Sequence, residues 1–233
     1  MNKRAARIFI LAVLVALAAG VVGAQELEKL KKPEPSVPEI FTLTGQYVRI
    51  AYNSEGFATL GYRIANGSEG DEWMLLEMGS TLRKPTKNQT MTRDDLSLML
   101  PDGSTIGLAT QEEFGKAGHL RALNERGNMS RDSINYFPVD ANQACAIGFF
   151  ADPTNQVRSL SYDQVELSWQ RACVGRIFFK IPGKIQTGQY YLLVKYENSM
   201  LQIPFRIFTK AEDKEFKKQW KGIKKEHDAE IKK

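Results

Sequence analysis

Between Ile40 and Phe208 apolar side chains recur at every second position, and this period commits the stretch to half-buried strands rather than helices. Val48, Ile50 and Tyr52 share one parity against Tyr47, Arg49 and Ala51. Leu60, Tyr62 and Ile64 repeat the pattern, so the first-named set in each place is expected to face the interior. Asn66-Gly67 then supplies residue types suited to the positive φ angles of a tight turn. Trp73 to Met78 returns as an almost wholly apolar strand. Leu96, Leu98 and Leu100 precede Pro101-Asp102-Gly103, in which Pro fixes φ and Gly frees it, and Ile106 and Leu108 resume the alternation. That is a hairpin.

The last hairpin is the most regular. Tyr190, Leu192, Val194 and Tyr196 share a parity, Glu197-Asn198-Ser199 turns the chain, and Leu201, Ile203, Phe205 and Ile207 return. Pro204 lacks an N–H for the ladder, which predicts an edge strand or a bulge. With Cys145 to Phe150 and Val174 to Ile181 added, the count reaches roughly nine or ten strands, predicting an all-β fold of two packed antiparallel sheets. About 170 residues suffice for one sizeable core.

Two segments carry helical signals. Thr110-x-x-Glu113 has capping-box spacing, and Phe114, Ala117 and Leu120 to Leu123 predict a short inserted amphipathic helix, weakened by Gly115 and Gly118. Thr209-x-x-Glu212 opens a C-terminal amphipathic helix, on which Phe216, Trp220, Ile223, His227 and Ile231 draw one stripe among lysines. The organisation is therefore a leader at 1–24, a polar, proline-bearing linker at 25–39, a β-sandwich at 40–208 and a lysine-rich helix at 209–233.

The leader has the form of a cleavable signal peptide: Lys3, Arg4 and Arg7, an apolar run from Ile8 to Val22, and the small-residue site Val22-Gly23-Ala24 before Gln25. A retained anchor is the alternative, although the run is shorter than the roughly 20 residues of a bilayer span. The expectation is an exported chain, periplasmic or extracellular, with no transmembrane span after cleavage. Cleavage would leave 29 Lys and Arg against 27 acids, and the tail alone holds nine lysines against six acids. The pI of about 9.1 thus arises at the two ends, and nucleic acid is not an expected partner.

Cys145 and Cys173 share parity with core positions of their strands, and in an exported protein two such cysteines are expected to form a structural disulfide. Two reduced core cysteines are the alternative. Nothing in the sequence marks a catalytic site: His119 and His227 stand far apart, and no zinc-ligand cluster, Gly-x-Ser-x-Gly elbow or phosphate-cradling glycine loop occurs. No cofactor or metal is expected. Residues 66 to 72 offer oxygen ligands without EF-hand spacing, and Asn66, Asn88 and Asn128 open Asn-x-Ser/Thr triplets. Candidate partner-binding residues come from the charged stretch at 119 to 132, namely Arg121, Asn124, Arg126 and Arg131, and from the tail stripe, namely Phe216, Trp220 and Ile223. For each, a bland reading stands beside the functional one: a solvated crossover held by local ion pairs, and a helix packed on its own domain.

The run Gly175-Arg176-Ile177-Phe178-Phe179-Lys180-Ile181-Pro182, followed by Gly188-Gln189-Tyr190-Tyr191-Leu192, resembles the late strands of telokin-like immunoglobulin-fold domains of exported bacterial proteins. Pro101-Asp102-Gly103 after a leucine-rich strand also fits, and the likeness spans about residues 40 to 208. The resemblance implies an immunoglobulin-like β-sandwich serving as an interaction module, with the segment from 110 to 137 as a departure from the pattern. The expected function is binding to an unknown protein or envelope component. Two alternatives are a carboxylate-based hydrolase or carbohydrate-acting enzyme, and a surface-associating protein working through its C-terminal helix.

Overall fold

A computed structural model of the chain describes residues 40–152 and 160–231, so the leader and linker lie outside the described residues. The described residues belong to one compact unit. The described residues are mostly β, with 39% in strands and 22% in helices. The strands are β1 (Ile40–Gly45), β2 (Val48–Tyr52), β3 (Gly56–Gly61), β4 (Trp73–Leu82), β5 (Gln89–Thr92), β6 (Leu96–Met99), β7 (Thr105–Gly107), β8 (Gln143–Ala146), β9 (Gln164–Leu167), β10 (Arg171–Lys180), β11 (Gly188–Lys195) and β12 (Met200–Ile207). The helices are α1 (Arg63–Asn66), α2 (Gln111–Lys116), α3 (Leu120–Met129) and α4 (Lys210–Ile231).

Three open sheets form, not two: a six-stranded one in the order β1-β2-β3-β4-β10-β8, a four-stranded one in the order β12-β11-β6-β7, and the pair β5-β9. The antiparallel expectation fails at one place, because β8 runs parallel to β10. That pairing sets Cys145 directly opposite Cys173, and the disulfide expected between them is present.

Register explains why β4 reads as a continuous apolar run. All ten of its residues are buried, because both faces of the six-stranded sheet are covered. Met74 and Leu76 lie opposite Phe179 and Ile177 and share their face with Met78 and Ser80. This inner face meets the four-stranded sheet, where Ser80 Oγ and the Tyr196 hydroxyl lie 3.0 Å apart and the Tyr62 and Phe205 rings 5.4 Å apart. Trp73, Leu75, Glu77 and Gly79 take the outer face with Phe178, Arg176 and Val174. There α2 delivers Phe114, whose ring lies 5.0 Å from Phe178 and 4.8 Å from Phe150, an aromatic cluster that seats the inserted segment.

Two covered faces overturn one parity assignment. Val48, Ile50 and Tyr52 lie opposite Gly61, Thr59 and Phe57, so they belong to the outer face, while Ala51 opposite Ala58 faces the second sheet. Both sets contain buried residues; alternation distinguished the faces without telling which one met the other sheet. Asn66-Gly67 makes no positive-φ turn either: residues 63–66 form one helical turn and Gly67 sits at φ −86°. Asn66 is held there by tertiary bonds, its Oδ1 accepting from Phe208 N at 2.8 Å and its Nδ2 donating to Asp213 Oδ1 at 3.1 Å.

The two late hairpins form as expected. Gly103 adopts φ +85° between β6 and β7. Pro204 lies on β12, an edge strand, so its missing N–H breaks no ladder. The inserted helix is two helices. The Thr110 capping box closes as expected, Glu113 N donating to Thr110 Oγ1 at 3.1 Å and Thr110 N to Glu113 Oε2 at 3.0 Å, but α2 ends before the Gly118 region and α3 starts afresh. Leu120, Leu123, Asn124 and Gly127 form the buried stripe of α3 at helical spacing.

Candidate functional site

The outer face of β4 and β10 carries one charged pair among its apolar residues. Glu77 and Arg176 are cross-strand partners, and Arg176 Nη2 donates to Glu77 Oε1 at 3.4 Å. Their side chains are 9% and 19% exposed, so the pair is taken largely out of water by the inserted segment. The α3 helix supplies the remaining partners: Arg176 Nη1 donates to Asn124 Oδ1 and to the Asn124 carbonyl at 3.2 Å. Asn124 Nδ2 in turn donates to Asp152 Oδ1 at 3.0 Å. Gly127 lets the helix approach, since a β-carbon there would lie 3.2 Å from the guanidinium carbon. Burial pushes the Glu77 carboxyl above its ordinary range, and the Arg176 charge and hydrogen bond only partly offset that.

Beyond α3 the chain turns back over the same face. Arg63 grips Asp132 through two bonds, Nε to Oδ2 at 2.9 Å and Nη2 to Oδ1 at 2.8 Å, while its guanidinium lies 4.5 Å from the Tyr47 ring centroid. Ile134 and Phe137 then settle over two glycines. A β-carbon on Gly61 would stand 3.0 Å from Ile134 Cγ2, and one on Gly79 would stand 2.6 Å from Phe137 Cζ. Sheet and segment enclose a groove of about 520 Å³, floored by Val174 and Gly175, with Glu77 and Arg176 at one side and residues 131–135 as its wall. Arg131 is exposed at the mouth and has no ion-pair partner within 4.0 Å among the described residues.

The structure thus places Arg131 at the groove, buries Asn124 behind it against Arg176, and sends the other two candidates of that stretch elsewhere. Arg121 pairs with Glu125 at 3.0 Å along the exposed side of α3, and Arg126 reaches Asp71 at 3.2 Å. In the tail, Phe216 packs at home, its ring 4.9 Å from Phe208 and 5.6 Å from Tyr47; Trp220 is half-buried, and Ile223 remains 54% exposed. Glu77, Arg176 and Arg63 were missed from the sequence. Their signal was there to be found, because Glu77 and Arg176 are lone charges inside otherwise apolar strands, where a charge persists only with a partner.

A second buried carboxylate, Glu55, has a different role. It accepts hydrogen bonds from Ser199 Oγ at 2.6 Å, Asn198 N at 3.1 Å and the Gln89 side chain, while Asn53 Oδ1 accepts from Glu55 N at 2.9 Å. These bonds join the β2–β3 turn to the β11–β12 turn and spend the carboxylate on closing the two sheets. Among the described residues no group of three or more His, Cys, Asp or Glu could hold a metal ion, and no helix is long and apolar enough to cross a membrane. Compared with protein-family models, curated proteins and solved structures, the chain matches none.

Proposed function

We propose that the chain is an exported binding module of the cell envelope or extracellular space, and that its ligand seat is the groove between the inserted segment and the β4–β10 face. One observation carries the reading: a nearly buried acid–base pair, Glu77 and Arg176, opens onto a groove whose mouth holds Arg131, whose charge is felt by Glu77 but which makes no ion pair within 4.0 Å among the described residues. Glu77 Oε2 accepts no hydrogen bond from the described residues, so it is free to take a cationic donor from a ligand, while Arg131 faces the solvent as the partner for an anionic group. The volume falls among those of small-molecule sites, roughly 300–1,000 Å³. The ligand class is a small molecule or peptide segment bearing one basic and one acidic group.

The leader sequence and the disulfide support export, since structural disulfides belong to oxidising compartments. We also propose that the two larger sheets descend from an immunoglobulin-like sandwich, because β10 and β11 carry the two motifs of the resemblance. The hydrolase alternative would rest on Glu77, whose raised pKa suits an acid, but Asp132 is already fixed by Arg63 and Glu77 by Arg176. Calorimetry with dipeptides carrying one acidic and one basic side chain tests the reading. Binding is expected for the wild type, about tenfold weaker for Arg131→Ala and for Glu77→Gln, and unchanged for Arg121→Ala. Equal affinity across the four proteins refutes the groove, and turnover of a glycoside or ester substrate that depends on Glu77 moves the assignment to the hydrolase.

A further inference from the structure

The α4 helix is bound to the domain at its start, and its residues 221–223 are exposed. Asp213 accepts from Asn66 Nδ2 at 3.1 Å and from the Tyr47 hydroxyl, Arg206 reaches Glu212 at 2.7 Å, and Phe216 closes the attachment against Phe208 and Tyr47. Past Phe216 the apolar stripe emerges from the domain by steps, with Trp220 half-buried and Ile223 54% exposed. The charges around that stripe are sorted. At about 100° per residue, Lys214, Lys217, Lys218 and Lys221 fall within one sector of about 100° beside the stripe and Glu212 and Glu215 on its other side, while Asp213, between the stripe and Lys217, is taken up by Lys217, Asn66 and the Tyr47 hydroxyl. Lys214, Lys218 and Lys221 are exposed and have no ion-pair partner within 4.0 Å among the described residues.

We infer that this overhang docks on a bilayer surface containing anionic lipid. An apolar edge with an indole beside a flank bearing three unpaired lysines matches a surface whose interior is apolar and whose headgroups are negative. Neutral lipid would leave the lysines unmatched, and an aqueous partner-free state would leave Ile223 in water. The docking is independent of the groove and does not need its ligand.

The test is flotation of the full chain with vesicles of phosphatidylcholine alone or of phosphatidylcholine mixed with phosphatidylglycerol, for the wild type and for the triple variant Lys214→Gln, Lys218→Gln, Lys221→Gln. Glutamine keeps the helix propensity, and circular dichroism checks that the fold is intact. The N-terminal apolar run is common to both proteins, so only the difference between them is read. The wild type is expected to bind the anionic vesicles about 100-fold more tightly than the triple variant, from roughly fivefold per surface lysine, and the two are expected to behave alike on neutral vesicles. A second variant, Trp220→Ser with Ile223→Ser, should also lose anionic binding. Equal binding of wild type and triple variant to anionic vesicles overturns the inference. So does sedimentation showing that Trp220 and Ile223 are instead covered by a second copy of the chain, or capture of an acidic protein that competes where vesicles do not bind.

Discussion

A charge set in the middle of an apolar strand survives folding only if something nearby answers it, and Glu77 and Arg176 answer each other. Removing one partner should therefore cost more than removing both. Arg176→Met leaves a carboxylate that is 9% exposed without its counter-charge and should lower unfolding free energy by about 3 kcal/mol in urea titrations, while the double variant Glu77→Gln with Arg176→Met should recover most of it. Because burial raises the Glu77 pKa, the charged form is the costly one. The deficit of Arg176→Met should shrink as pH falls toward the ordinary carboxylate range and be largest above it. Glu212 has the opposite sign. The Thr209 N–H first, then Arg206 and the Thr209 hydroxyl, pull its pKa from 4.5 down to about 2, so the stability it lends to the first turn of α4 is present above 4.5 and lost as pH falls toward 2. Amide exchange at residues 210–214 should quicken over that window in the wild type and be indifferent to it in Glu212→Gln. The Thr209-x-x-Glu212 box was legible because its partners are three residues apart; the Glu77–Arg176 pair was not, because only strand register brings residues 77 and 176 together.

At the scale of elements, the same contrast separates what could be read from what could not. The β6–β7 and β11–β12 hairpins were legible since a short turn fixes the register of both arms. The parallel β8–β10 pair and the faces of β2 were hidden, since each depends on a layer built from distant sequence. That layer consists of the inserted segment, and its seating on glycines is testable. Gly79→Ala places a β-carbon 2.4 Å from Thr59 Oγ1 and 2.6 Å from Phe137 Cζ, which should displace the segment at a loss of about 1–3 kcal/mol in thermal or urea unfolding. Gly115→Ala meets nothing within 4 Å on exposed α2 and should instead stabilise the protein by up to about 1 kcal/mol. Equal effects at the two positions would mean that the segment does not rest on the sheet as described.

Across the molecule, the two larger sheets and the disulfide were foreseeable from alternation and cysteine parity, but the place where chemistry collects was only half visible. The charged stretch at 119 to 132 supplies Arg131 to the proposed groove and Asn124 to the bonds that hold Arg176, while Arg121 and Arg126 are held by carboxylates of their own. The other half of the groove belongs to β4 and β10, whose apolar reading concealed the charges they carry. Amide chemical-shift mapping during titration with a dipeptide bearing one acidic and one basic side chain addresses that assignment directly. Shifts confined to residue 77, residues 131–135 and residues 174–176, and abolished by Arg131→Ala, are the expected result; saturable shifts centred elsewhere, or none at all, would contradict it.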